Sequence, residues 1–237
     1  MKVKELFEQE PSIVEKNIEY LKHLCQIEYR QYDPKDYVAN KNGTVTFKRG
    51  TSPIIDDKFL SKYDYELPFN ISNADYITII DSKSCKGFPV KCTALIVKSE
   101  KITSLEALNT IAKEYVDLNI PNVKKFSGFI DTEVLSINSI GVNNFTNANK
   151  YINAETIVFD NIDPLGRRVP IKIASNVLSF LKIPKLQHIH IKQFAKDEGN
   201  EIDQVFSILN KHLQNDKDIL ECQEELITNG FKEYAKL

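Results

Sequence analysis

Five positions at offsets 0, 2, 5, 7 and 10 recur down the middle of this chain, and that recurrence restricts the fold more than any other feature. In the stretch EVLSINSIGVNNF they are Leu135, Ile137, Ile140, Val142 and Phe145. One repeat earlier they are Val116, Leu118, Pro121, Val123 and Phe126. Before that they are Leu95, Val97, Glu100, Ile102 and Leu105, with Glu100 alone polar. Partial copies begin at Ile77 and Ile79, at Ile157 and Phe159, and at Ile189 and Ile191. The starting positions 77, 95, 116, 135 and 157 lie 18, 21, 19 and 22 residues apart.

A spacing near about 20–29 residues around an L-x-L core is the sequence mark of a leucine-rich-repeat solenoid. Its physical basis is the two-residue period of a strand, which turns Leu135 and Ile137 inward while Val134, Ser136 and Asn138 face out. Offset 5 is where the chain leaves the strand, and offsets 7 and 10 return apolar groups to the same interior. A single coil cannot bury its apolar face, whereas stacked coils share one core. The competing reading is a set of ordinary buried strands in an unrelated α/β sheet; three adjoining five-point matches favour the solenoid. The expected fold is therefore α/β, a short irregular leucine-rich-repeat-like solenoid of stacked parallel strands.

The flanks predict caps for the solenoid ends. Ser12 precedes Glu15 by three residues, the spacing of a capping box, and Ile13, Ile18, Leu21, Leu24 and Cys25 follow at helical intervals. Asn42-Gly43 reads as a tight turn into a strand carrying Val45 and Phe47, either a first coil or a hairpin cap. Residues 49–70 read as irregular, and Leu105, Leu108 and Ile111 suggest a short helix within 104–113. An insertion, DPLGRRVP, follows Ile162, with a helix expected over 175–182. Beyond residue 200, Ile202, Val205, Phe206, Leu209 and Leu213 line one helix, and a second ends at Asn229-Gly230. The organisation expected is an N-terminal helix and cap region over 1–70, a solenoid over 71–199 and a helical C-terminal cap over 200–237.

A chain with 42% hydrophobic and 27% charged residues has the composition of a folded globular protein. Its formal charge of −2 argues against a nucleic-acid partner, which calls for a basic footprint. No stretch is apolar over the 18 or so residues of a membrane span, and the charged opening MKVKELFEQE lacks the apolar centre of a signal peptide. A cytoplasmic location is expected, in keeping with four cysteines that read as buried free thiols. Cys85 and Cys92 flank Gly87 and Pro89, so a disulfide or half a metal site is the alternative reading of that pair.

The opening MKVKELFE with NKNGTVTF, the eroded repeat LIVKSEKITSLEAL and the ending ILECQEELITNGFKEYAKL resemble the small leucine-rich-repeat-like proteins of large Tevenvirinae-type tailed phages. Regular members carry paired glycines before the strand and a Cys-Ser-x-Asn at its end, and neither occurs here. Offset 5 holds Ser82, Glu100, Pro121, Ile140 and Ile162 rather than asparagine, so the turns must satisfy their backbone by other means. The resemblance implies a phage accessory protein acting in the cytoplasm of the infected host, without assigning an activity.

Candidate chemistry is sparse. The chain contains no P-loop, H-E-x-x-H, G-x-S-x-G or G-x-G-x-x-G motif, and no cofactor is expected. His188 and His190 share one strand face and, with Asp160 and Asp163 near the neighbouring coil, give the one metal-hydrolase reading; the simpler reading makes them outward residues alternating with buried isoleucines. The stronger candidate is the outward strand face itself. Its first column is Tyr76, Ala94, Tyr115, Val134, Thr156 and His188. The second is Thr78, Ile96, Asp117, Ser136, Val158 and His190, and the third Ile80, Lys98, Asn119, Asn138, Asp160 and Lys192. Mixed aromatic, aliphatic and polar groups are what interface cores use. The expected partner contacts are Tyr76, Thr78, Tyr115, Asp117, Asn119, Ser136, Asn138, Asp160, His188 and His190. The function expected is non-catalytic binding and modulation of a host bacterial protein, in host takeover or counter-defence, with self-association as another occupant of the face. A virion-packaged structural protein is the alternative, since Leu6-Phe7-Glu8 resembles the Leu-x-Glu cleavage signal of capsid-targeting peptides in such phages.

Overall fold

Residues 11–138, 144–160, 176–192 and 201–236 are described by a computed structural model. The chain enters through the predicted capping box: the Ser12 hydroxyl accepts the Glu15 N–H, and the Glu15 carboxylate accepts the Ser12 N–H at 2.7 Å. Helix α1 (Ile13–Ile27) buries Asn17, Leu21, Leu24 and Cys25. Asn17 donates its side-chain amide to the carbonyl of Gly43 at 2.9 Å, which fastens the helix to the hairpin of β1 (Tyr37–Ala39) and β2 (Thr44–Phe47). Gly43 turns this hairpin at φ +81°, a conformation glycine adopts without steric cost.

The two expectations for this stretch prove compatible. Strand β2 pairs antiparallel with β1 and parallel with the later strand β4 (Asn70–Asn73), so the hairpin is both cap and first coil. Residues 49–70 are not irregular, as the sequence suggested, since they hold β3 (Ile54–Ile55) and helix α2 (Asp57–Leu60). A two-residue strand carries no detectable period, and Asp56 caps α2 through the N–H groups of Lys58 and Phe59.

From β4 onward the ladder runs through β5 (Tyr76–Ile80), β6 (Lys91–Lys98), β7 (Asn109–Asn119), β8 (Phe129–Asn138), β9 (Ile152–Phe159) and β10 (His188–Ile191). Among the described residues every pairing after the first hairpin is parallel, in one ten-stranded sheet wound as a solenoid of about five turns. Strand β6 pairs with both β4 and β5, on either side of the break at Ala74-Asp75, so these coils carry two strand legs that meet at a corner. On the second leg Ile77, Leu95, Val116, Leu135, Ile157 and Ile189 form one inward row. Ile55, Ile79, Val97, Leu118, Ile137 and Phe159 form the next, and no residue of either row is more than 2% exposed. Burying such a side chain contributes about 1.5–3 kcal/mol, and the stacked rows are the main source of stability.

The helix expected over 104–113 is absent. Residues from Asn109 belong to β7, where Leu108, Thr110 and Ala112 are buried and Asn109, Ile111 and Lys113 exposed, a period of two. Leu105, Leu108 and Ile111 matched a helical spacing only because Leu105 sits in the preceding turn.

Serines, in place of asparagine, satisfy the first turns. Ser82 is fully buried and donates to the Ser84 carbonyl at 2.7 Å, while Ser99 of the next coil donates to the Ser82 carbonyl at 2.5 Å. One coil further, the Asn122 amide donates back to Glu100 O at 2.5 Å. Ile140, Val142, Ile162 and the DPLGRRVP insertion lie outside the described residues.

A 3-10 helix, Val177–Lys182, falls where a helix was expected over 175–182, and α3 (Glu201–Gln214) and α4 (Ile219–Thr228) close the far end, in keeping with the helical cap expected over 200–237. Phe206 of α3 packs on Phe159 with ring centroids 5.4 Å apart. The Asn210 side chain accepts the Ile189 N–H at 2.7 Å and donates to the Ile189 carbonyl at 2.8 Å. That amide takes the place of a further strand and occupies the free edge of β10, where unpaired backbone invites aggregation. His212 and Lys211 both reach Glu225 at 2.8 Å, tying α3 to α4.

Candidate functional site

The outward columns expected from the repeat template are the rungs observed. Tyr76 pairs with Ala94, then Tyr115, Val134, Thr156 and His188; Thr78 aligns with Ile96, Asp117, Ser136, Val158 and His190. Ile80, Lys98, Asn119 and Asn138 follow in the third, beyond which Asp160 donates its N–H to Ile137 and Lys192 its own to Phe159. Parallel pairing without a one-residue slip keeps each column on one face. Tyr76, Thr78, Tyr115, Asp117, Asn119, Ser136 and His190 are exposed or half-buried.

Three positions differ from expectation. Ala94 is 1% exposed, so the first column is recessed between Tyr76 and Tyr115. Asp160 is only 7% exposed, held by Lys192 at 3.2 Å, and therefore supplies charge rather than contact area. His188 is half-buried against the Gln214 amide of α3 at 3.5 Å. The side chain of Asn138 lies outside the described residues.

Asp117 sits at the electrostatic centre of this face. Burial raises its carboxyl above the ordinary aspartate range, while a hydrogen bond with Ser136 and the charges of Lys98 and Lys192 pull it back, and Asp160 adds to the rise. A carboxyl raised in the fold adds stability below the ordinary aspartate range and loses it as pH climbs through the raised value. Asp117→Asn removes that loss. Its melting temperature is expected to equal or exceed the parent's at pH 7, with the difference shrinking toward pH 3. A variant that melts lower at pH 7 would place Asp117 in a stabilising pair with Lys98 or Lys192 instead.

The rings of His188 and His190 stack at 5.7 Å, as neighbours two apart on one strand face do. No group of three or more His, Cys, Asp or Glu among the described residues is placed to hold a metal ion, and Asp163 lies outside them. Cys85 and Cys92 are free and buried, and burial pushes each thiol up to about 12. They are small apolar core groups, not the disulfide or half-site that their spacing left open. No helix among the described residues is long and apolar enough to cross a membrane.

The sequence columns missed the corner between the strand legs. There the Asp75 carboxylate accepts Thr93 Oγ1 at 2.6 Å and the Gly50 N–H at 3.2 Å, which holds it below the ordinary range. The Tyr76 hydroxyl donates to Glu114 at 2.8 Å. Strand β7 carries one residue more at this corner than β6 or β8, a bulge that sets Lys113 and Glu114 outward. The sequence signal was the unequal repeat, 21 residues before Val116 and 19 after it.

Comparison with family models, with curated proteins and with solved structures returns no match.

Proposed function

We propose that this chain is a non-catalytic binding protein whose outward sheet face docks a partner protein. The observation that carries the reading is the unbroken register of that face. Tyr76, Ile96, Tyr115, Val134 and Val158 lie on successive rungs over an interior that fixes their backbone. Solenoids present such surfaces to partners, and Tyr is a favoured anchor because it buries much area at little entropy cost. The phage-like sequence features extend the proposal to an accessory protein that modulates a bacterial host protein in the host cytoplasm.

The test is capture from bacterial lysate followed by substitution on the face. Tagged parent is expected to retain one bacterial protein in stoichiometric amount. Tyr115→Ala and Val134→Asp are expected to reduce that recovery at least about tenfold, the loss of a hot-spot contact, while both variants stay folded. Retention unchanged in both variants contradicts the reading. Recovery of the chain from purified virions, with no bacterial partner, would support a packaged structural protein.

A further inference from the structure

We infer that the corner groove between the two strand legs receives an acidic segment of the docked partner. The inference rests on the docking reading above and adds the chemistry of the partner.

The open groove has a volume of about 460 Å³, and its lining includes Arg49, Asp75, Tyr76, Lys91, Lys113 and Glu114. Recesses of this size take a few side chains. Four successive coils build it: the turn after β2 brings Arg49, the break after β4 brings Asp75, the start of β6 brings Lys91, and the β7 bulge brings Lys113 and Glu114. Both carboxylates take their hydrogen bonds from neutral donors, Asp75 from Thr93 and Gly50 and Glu114 from Tyr76, while Arg49 and Lys113 act on Asp75 through charge without a direct ion pair. By contrast, Lys83, Lys101, Lys185 and Lys211 elsewhere reach a carboxylate directly. Among the described residues no ion pair includes Arg49, Lys91 or Lys113. Three cations therefore face one recess against two acids whose lone pairs are partly committed.

Spaced carboxylates suit this arrangement better than a polyphosphate. Asp75 and Glu114 sit among the cations and repel a phosphate backbone charged at every step, while successive Glu side chains of an extended peptide point to opposite sides and can turn away from them. The overall charge of −2 likewise supplies no extended basic stripe for nucleic acid. Tyr76 belongs to both groove and sheet face, so one segment can anchor on the tyrosines and place its acids in the corner.

Fluorescence anisotropy with labelled hexaglutamate, hexalysine and hexathymidylate, at low salt where screening is weak, tests the proposal on the full chain. Hexaglutamate is expected to bind and hexalysine not to. Lys91→Glu combined with Lys113→Glu is expected to weaken hexaglutamate binding at least about tenfold, the scale of lost charge complementarity. Lys124→Glu with Lys125→Glu, on exposed positions beyond β7, is expected to leave it unchanged. Circular dichroism confirms that both double variants fold. Absence of hexaglutamate binding, equal loss in both double variants, or equal or tighter binding of hexathymidylate overturns the proposal, the last in favour of a nucleic acid. If the groove proposal fails while Tyr115→Ala still releases the bacterial partner, the docking face stands without it. If hexaglutamate binds as expected but Tyr115→Ala releases nothing, the docking face is what falls.

Discussion

Phe145→Ala is expected to destabilise the protein by about 3–5 kcal/mol, the range for removing a buried aromatic ring. Phe145 is 1% exposed, and its ring centroid lies 5.0 Å from Phe180, 5.7 Å from Phe159 and 6.4 Å from Phe126. Phe159 in turn meets Phe206 of the C-terminal cap. Truncation therefore opens a cavity where the last coils join the capping helices, and its close-packed neighbours collapse only partly to fill it. Urea titration checks this through a lower midpoint at unchanged slope. A loss below about 1 kcal/mol, the typical cost of an unremarkable substitution, would mean that this aromatic row does not join coils to cap.

Leu118→Ala is expected to cost about 2–5 kcal/mol, and Tyr115→Ala, three residues earlier on the same strand, far less. Leu118 is 1% exposed between Val97 and Ile137 of the adjoining coils, whereas Tyr115 is half-buried on the outward face. Paired urea titrations of the two variants read the contrast. The reverse order, with Tyr115→Ala unfolding the chain and Leu118→Ala tolerated, would require a register shifted by one residue, because such a slip exchanges the faces of a strand.

The interior rows and outward columns were legible because a strand has a two-residue period and a coil has a nearly constant length. Leu95, Val116 and Leu135 announce both at once. The capping box at Ser12 and the stop at Gly230 were legible because cap chemistry is local: four residues suffice to state it. Features made by contact between coils were not. Nothing near Ser82 or Ser99 in sequence says that their hydroxyls bond across a turn, and nothing near Asn210 says that it lies against Ile189, 21 residues away. Ile54–Ile55 was too short to show a period, and Leu105 in its turn gave β7 a false helical spacing. Asp117 illustrates the same limit at the candidate site. Its outward direction follows from the register, but its carboxyl is raised by burial and by Asp160 against the opposing pull of Ser136 and Lys192, and those three residues come from later coils. The corner groove is harder still, since four coils each supply only one or two of its charged residues.

Placement of a partner on the outward sheet face is the central claim, and methyl NMR of the chain with its co-purified partner tests it most directly. Ile80, Ile96, Val134 and Val158 point outward, while Ile77, Leu95, Val116 and Leu135 point into the core. Addition of the partner is predicted to shift and broaden the outward methyl signals and to leave the inward ones close to their free positions. Perturbation confined to methyls of the turns and capping helices, such as Val90, Leu220 and Ile227, with Ile96 and Val134 unmoved, would contradict it.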